Sequence, residues 1–95
     1  MSSNLLRKYR AKILDLATRH GAGNVRVFGS VARGEEKESS DLDLLVTLGK
    51  GRSLLDLVGL QQDLEDLIHC PVDVVTEQGL SAHLRERVLA EAVPL

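Results

Sequence analysis

The chain has 95 residues, enough for one domain with a modest core and too few for a separate substrate-recognition domain. A formal net charge of −2 gives no bulk attraction to nucleic acid or anionic membrane, and Tyr9 and Phe28, the only aromatics, make no base-stacking platform. The single cysteine, Cys70, excludes an internal disulfide, and there is neither zinc-type Cys/His spacing nor an apolar run able to span a bilayer. The composition points to one cytoplasmic α+β domain over residues 1–95.

Residues 4–20 form the first expected helix. Leu5, Tyr9, Ile13, Leu16 and Ala17 recur at three- and four-residue spacings and make one apolar stripe. Gly21 and Gly23 are expected to stop it. Val25 to Phe28 reads as a short strand, broken by Gly29-Ser30, after which Val31 to Gly34 fits a single helical turn. The segment EEKESS at 35–40 is a solvated loop. Asp41 to Leu48 then alternates strictly: Leu42, Leu44, Val46 and Leu48 share one face, and Asp41, Asp43, Leu45 and Thr47 share the other.

Gly49 and Gly51 flank a turn. Ser53 with Asp56 resembles a capping box opening a helix through about Ile68, with a stripe of Leu54, Leu57, Leu60, Leu64, Leu67 and Ile68. Pro71 bars continuation, and Val72 to Thr76 is a third strand. Residues 81–92 close with a helix carrying Leu84, Val88, Leu89 and Ala92. The order α-β-turn-β-α-β-α suits a small sheet with helices packed on one face and the other face partly open. Asp41 and Asp43 belong to that open face.

Side chains at i and i+2 of a strand lie about 7 Å apart at Cα, so the Asp41 and Asp43 carboxylates repel unless a proton or cation intervenes. Mg²⁺ is commonly held by one or two carboxylates together with substrate phosphates. Asp73, in PVDVV, is a third acid in an apolar strand, and converges with the pair if the two strands are neighbours. Upstream, Gly29 lets backbone approach a ligand closely, and Ser30 adds a hydroxyl donor. Singly, an Asp-x-Asp pair, a Gly-Ser turn and a strand aspartate are each common structural features. Together, in this order, they are the parts of metal-assisted phosphoryl or nucleotidyl transfer.

Gly29-Ser30, ten residues, then Asp41-Leu42-Asp43 resembles the Gly-Ser…Asp-x-Asp signature of the polymerase-β-type nucleotidyltransferase superfamily. The longer string GSVARGEEKESSDLDLLV is similar to its minimal nucleotidyltransferase (MNT) group, and the likeness extends through PVDVVT to the closing AEAVPL. The resemblance implies a nucleotidyltransferase fold with a small mixed sheet. It implies Mg²⁺, in a two-metal site, on Asp41, Asp43 and Asp73, the last also helping to deprotonate an acceptor hydroxyl. Gly29 and Ser30 match the phosphate-contacting turn of a nucleoside triphosphate, ATP in particular. Arg33, in the group's Ala-Arg-Gly segment, either contacts phosphate or braces the loop.

Stand-alone members of that group are commonly antitoxins paired with a HEPN-domain ribonuclease toxin, some of them transferring AMP to a tyrosine of the toxin. The resemblance therefore implies a protein acceptor, with no direct nucleic-acid or membrane partner. Two alternatives stand beside it: an antitoxin that blocks its toxin by binding alone, and a transferase for a small-molecule acceptor. The basic run Arg7 to Lys12 reads as a solvated helix face. His20, His69 and His83 read as surface residues, Cys70 as a packed small side chain, and Glu35, Glu36 and Glu38 as a solubilising loop.

Overall fold

The computed structural model describes residues 3–35 and 41–95, so Glu36 and Glu38 of the expected loop lie outside the described residues. Its elements are α1 (Ser3–Arg19), β1 (Ala22–Phe28), α2 (Gly29–Ala32), β2 (Leu42–Leu48), α3 (Leu54–Ile68), β3 (Val72–Thr76), α4 (Ala82–Glu91) and β4 (Val93–Pro94). The strands form one mixed sheet in the order β3-β2-β1-β4. β1 runs antiparallel to β2 and β4, while β3 runs parallel to β2 through the α3 crossover.

The alternation in β2 sets the core. Leu42, Leu44 and Val46 are fully buried and pack with Ile13 and Ala17 of α1, Leu57, Leu60, Leu64 and Ile68 of α3, and Val72 and Val74 of β3. α3 begins with the expected reciprocal cap. Ser53 Oγ accepts from the Leu55 N–H at 3.3 Å, and Asp56 Oδ2 accepts from the Ser53 N–H at 2.9 Å. α1 and α3 are tied at one end by His20 Nε2 and Asp63 Oδ2, 2.7 Å apart, with Gly59 leaving the room the imidazole occupies. His20 is thus half-buried rather than a free surface residue; His69 and His83 are exposed as expected. In the basic run Arg7, Lys8, Arg10 and Lys12 are exposed, and Lys8 and Lys12 stand over the Tyr9 ring.

Several expectations are corrected. β1 starts at Ala22, so Gly23 is a strand residue and only Gly21, at φ +74°, ends the helix. The pairing register slips between Gly23 and Arg26, with Asn24 at φ +48°. This bulge breaks the alternation that would have revealed the strand's start. Leu54 is 74% exposed, because the core cluster begins at Leu57 and the first turn of α3 lies beyond it.

In α4 only Val88 is buried, Leu84 and Leu89 are exposed, and Ala92 leaves the helix in an extended conformation. That departure starts β4, a strand too short and too proline-limited to carry a period. Leu45, on the aspartate face, is fully buried yet outside the main cluster. No described helix is long and apolar enough to cross a membrane.

Candidate active site

Strand pairing places the acids. Phe28 of β1 pairs with Asp43 of β2, and Asp43 pairs with Asp73 of β3. Residues paired across neighbouring strands project to the same side, so Asp43 and Asp73 share the face opposite the Leu42-Leu44-Val46 core. Asp41 is exposed and immediately precedes β2.

Asp43 is half-buried, and its pKa is raised from 3.8 to about 6. Burial is the largest cause, followed by the negative charges of Asp73 and Asp41, while Arg33 opposes the shift and Glu91 adds to it. The site therefore has more negative charge near Asp43 than its surroundings balance. Among the described residues no three His, Cys, Asp or Glu side chains stand as a ready-made metal cage. Asp41 is therefore not gathered with Asp43 and Asp73 into a three-carboxylate cluster. The paired Asp43 and Asp73 are hard oxygen donors of the kind Mg²⁺ takes one or two at a time, together with water and substrate phosphate.

The Gly29 turn abuts this face. Gly29 adopts φ +76°, and a Cβ there would collide with Asp43 Oδ2. Only glycine tolerates both the left-handed backbone and that approach. The turn then closes on itself: Arg33 N–H donates to Gly29 O at 3.1 Å, and Glu35 N–H to Ser30 O at 2.9 Å. Ser30 is half-buried within it.

Arg33 is held by two acids. Its Nε donates to Glu35 Oε2 at 3.1 Å, and its Nη1 to Glu91 Oε1 and Oε2 at 3.2 and 3.0 Å. Glu91 Oε1 also accepts the Gly29 N–H at 2.8 Å. A cleft of about 240 Å³ opens here, bounded by Phe28, Gly29, Arg33, Leu84, Val88 and Glu91.

Glu35 is thus an ion-pair partner of Arg33 as well as a solvated loop residue. Glu91 was given no role by the sequence. One signal was available: an acid in the last turn of a helix sits against the helix dipole, which favours cations there. The opposing cost is met by Gly29 and Arg33, whose hydrogen bonds hold the Glu91 pKa below its ordinary value, the Gly29 N–H first.

A family model described as a nucleotidyltransferase domain matches residues 6–95. A Methanocaldococcus jannaschii protein named as a protein adenylyltransferase is 43% identical over 88 residues, covering 93% of this chain and 95% of its own. A solved minimal nucleotidyltransferase structure is 56% identical with a TM-score of 0.88, over 100% of this chain and 97% of that one. A complex of tri-AMPylated Shewanella oneidensis HEPN toxin with MNT antitoxin matches at TM-score 0.71 and 20% identity, over 93% of this chain and 69% of that one. That last likeness is one of fold.

Proposed function

This chain belongs to the nucleotidyltransferase domain family, and from that membership we propose that it transfers AMP from ATP to a hydroxyl of a partner protein, a HEPN-type toxin, in the cytoplasm. The observation that carries the reading is the register pairing of Asp43 with Asp73 beside the Gly29 turn. AMP as the transferred group and protein as the acceptor are supported by the relative named as a protein adenylyltransferase. The HEPN partner is supported by the fold shared with an MNT antitoxin found with an AMPylated HEPN toxin.

Asp41, Asp43 and Asp73 would hold Mg²⁺, two ions in the complete site, which when bound neutralises the triphosphate and activates the attacking oxygen. The Gly29-Ser30 turn and Arg33 would bind and orient the phosphates. Asp73 would take the proton of the acceptor hydroxyl as its oxygen bonds to the α-phosphorus and pyrophosphate leaves. Fixing donor and acceptor in line lowers the entropic part of the barrier.

The test is incubation of the purified chain with ATP, Mg²⁺ and the HEPN-domain protein proposed as its partner, followed by intact-mass spectrometry. An AMP adduct on the partner is the expected product. A partner of unchanged mass, with the chain folded and ATP present, sinks the reading.

A further inference from the structure

α2 has four residues; the Arg33 and Glu35 N–H groups close it at its far end and Val31 is buried in the core, but its start has no local cap. Phe28, its N-cap residue, makes no side-chain capping hydrogen bond. The left-handed Gly29 gains no rigidity from its own side chain. Left alone, the Gly29 N–H would be an unpartnered donor and the turn a loose one. Its partner comes from 62 residues away: Glu91 Oε1 accepts the Gly29 N–H, and the same carboxylate grips Arg33 Nη1 with both oxygens.

Glu91 is itself anchored. It is the last residue of α4, with the Ala92 N–H donating to Val88 O at 2.8 Å. Two residues on, Val93 pairs with Val27, Pro94 pairs with Arg26, and the Leu95 N–H donates to Val25 O at 3.0 Å. A closed circuit results: β1 leads into the Gly29 turn, the turn bonds to Glu91, and β4 returns from Glu91 to β1. β4 matters here chiefly as the clamp for that carboxylate.

We propose that Glu91 is a positioning residue for the nucleotide, fixing the Gly29 turn and the Arg33 guanidinium relative to Asp43 before ATP arrives. The inference rests on the nucleotidyltransfer reading. Glu91 touches no reacting atom; it acts through Gly29 and Arg33. Charge-assisted hydrogen bonds to a backbone N–H and a guanidinium are the stronger kind, and one carboxylate meeting both groups fixes the turn and the guanidinium relative to each other. Preorganisation of this sort lowers the ordering cost of binding, so its loss shows first in nucleotide affinity.

The experiment compares wild type, Glu91→Ala and Glu91→Gln as full chains. ATP affinity with Mg²⁺ is measured by calorimetry, and AMP transfer to the HEPN protein by initial rates. In Glu91→Ala, ATP affinity is expected to weaken about tenfold or more, the value of one or two charge-assisted hydrogen bonds, with KM rising by more than kcat falls. Glu91→Gln keeps an acceptor for the Gly29 N–H and loses the ion pair, so it should fall between the two. A merely structural role would leave the glutamine variant like wild type or lower kcat and stability together.

Unchanged ATP affinity in both variants overturns the proposal. Tighter ATP binding also overturns it, since the carboxylate would then be competing with phosphate. If Glu91→Ala does not fold, the affinity of Glu91→Gln decides by the same criterion. A wild-type chain that binds ATP but modifies no partner sinks the transfer reading while leaving this inference standing on affinity.

Discussion

Gly29 lacks a Cβ at the point where Asp43 places its carboxyl group. The turn and the acid therefore share one volume, and neither can change without the other. Gly29→Ala meets both the positive φ and the Asp43 side chain. A loss of roughly 1–3 kcal/mol is expected from the strained backbone alone, with ATP binding abolished. Urea denaturation with and without Mg²⁺-ATP measures both; an alanine variant stabilised by nucleotide as strongly as wild type would contradict the close approach.

The raised Asp43 pKa makes metal-free stability depend on pH. The folded pKa, about 6, lies above the ordinary value of 3.8, so the folded state binds the proton more tightly than the unfolded chain. The penalty is absent below the ordinary value, grows as pH rises through the window from 3.8 to about 6, and is complete above it. Glu91, whose pKa is lowered, contributes in the opposite sense, so the Asp43 contribution is read as a difference. With chelator present, the melting temperature of wild type should fall relative to that of Asp43→Asn across that window. A slope identical in wild type and variant would remove Asp43 as its source.

Asp41→Asn with Asp43→Asn separates enzyme from steric antitoxin. The exchange nearly preserves volume and removes charges that repel, so folding should be retained or improved. Transfer should collapse, by at least 10²-fold on the scale of lost electrostatic stabilisation. If the proposed HEPN-type partner is a toxin that this chain neutralises by transfer, cells expressing that partner should then lose protection although the variant is soluble. Continued protection, with no nucleotide on the partner, would establish blocking by binding.

The two ends of the α3 stripe should behave oppositely. Leu60 is fully buried, and Leu60→Ala should cost about 2–5 kcal/mol from lost contacts and the cavity left behind. Leu54 is mostly exposed, and Leu54→Ala should stay within about 0.5 kcal/mol of wild type. Equal losses at the two positions in denaturant melts would place Leu54 in the core.

Local periodicity made much of the fold legible. The alternation of Leu42, Leu44 and Val46, the Leu57-Leu60-Leu64-Ile68 stripe and the Ser53-Asp56 cap each depend on neighbours within a few residues, so the sequence by itself determined them. The same holds for the order of Gly29-Ser30, Asp41-x-Asp43 and Asp73 along the chain, from which the resemblance and the chemistry were read. Which strand lies beside which is a different kind of fact. Asp43 opposite Asp73, Glu91 under Gly29, and Val93 beside Val27 are contacts closed by the sheet across long stretches of chain. So are the burial of Leu45 and the exposure of Leu54, which depend on what stands over each position in space. Those were decided only by the tertiary structure, because burial and cross-strand register come from packing between distant segments, and no spacing along the chain encodes them.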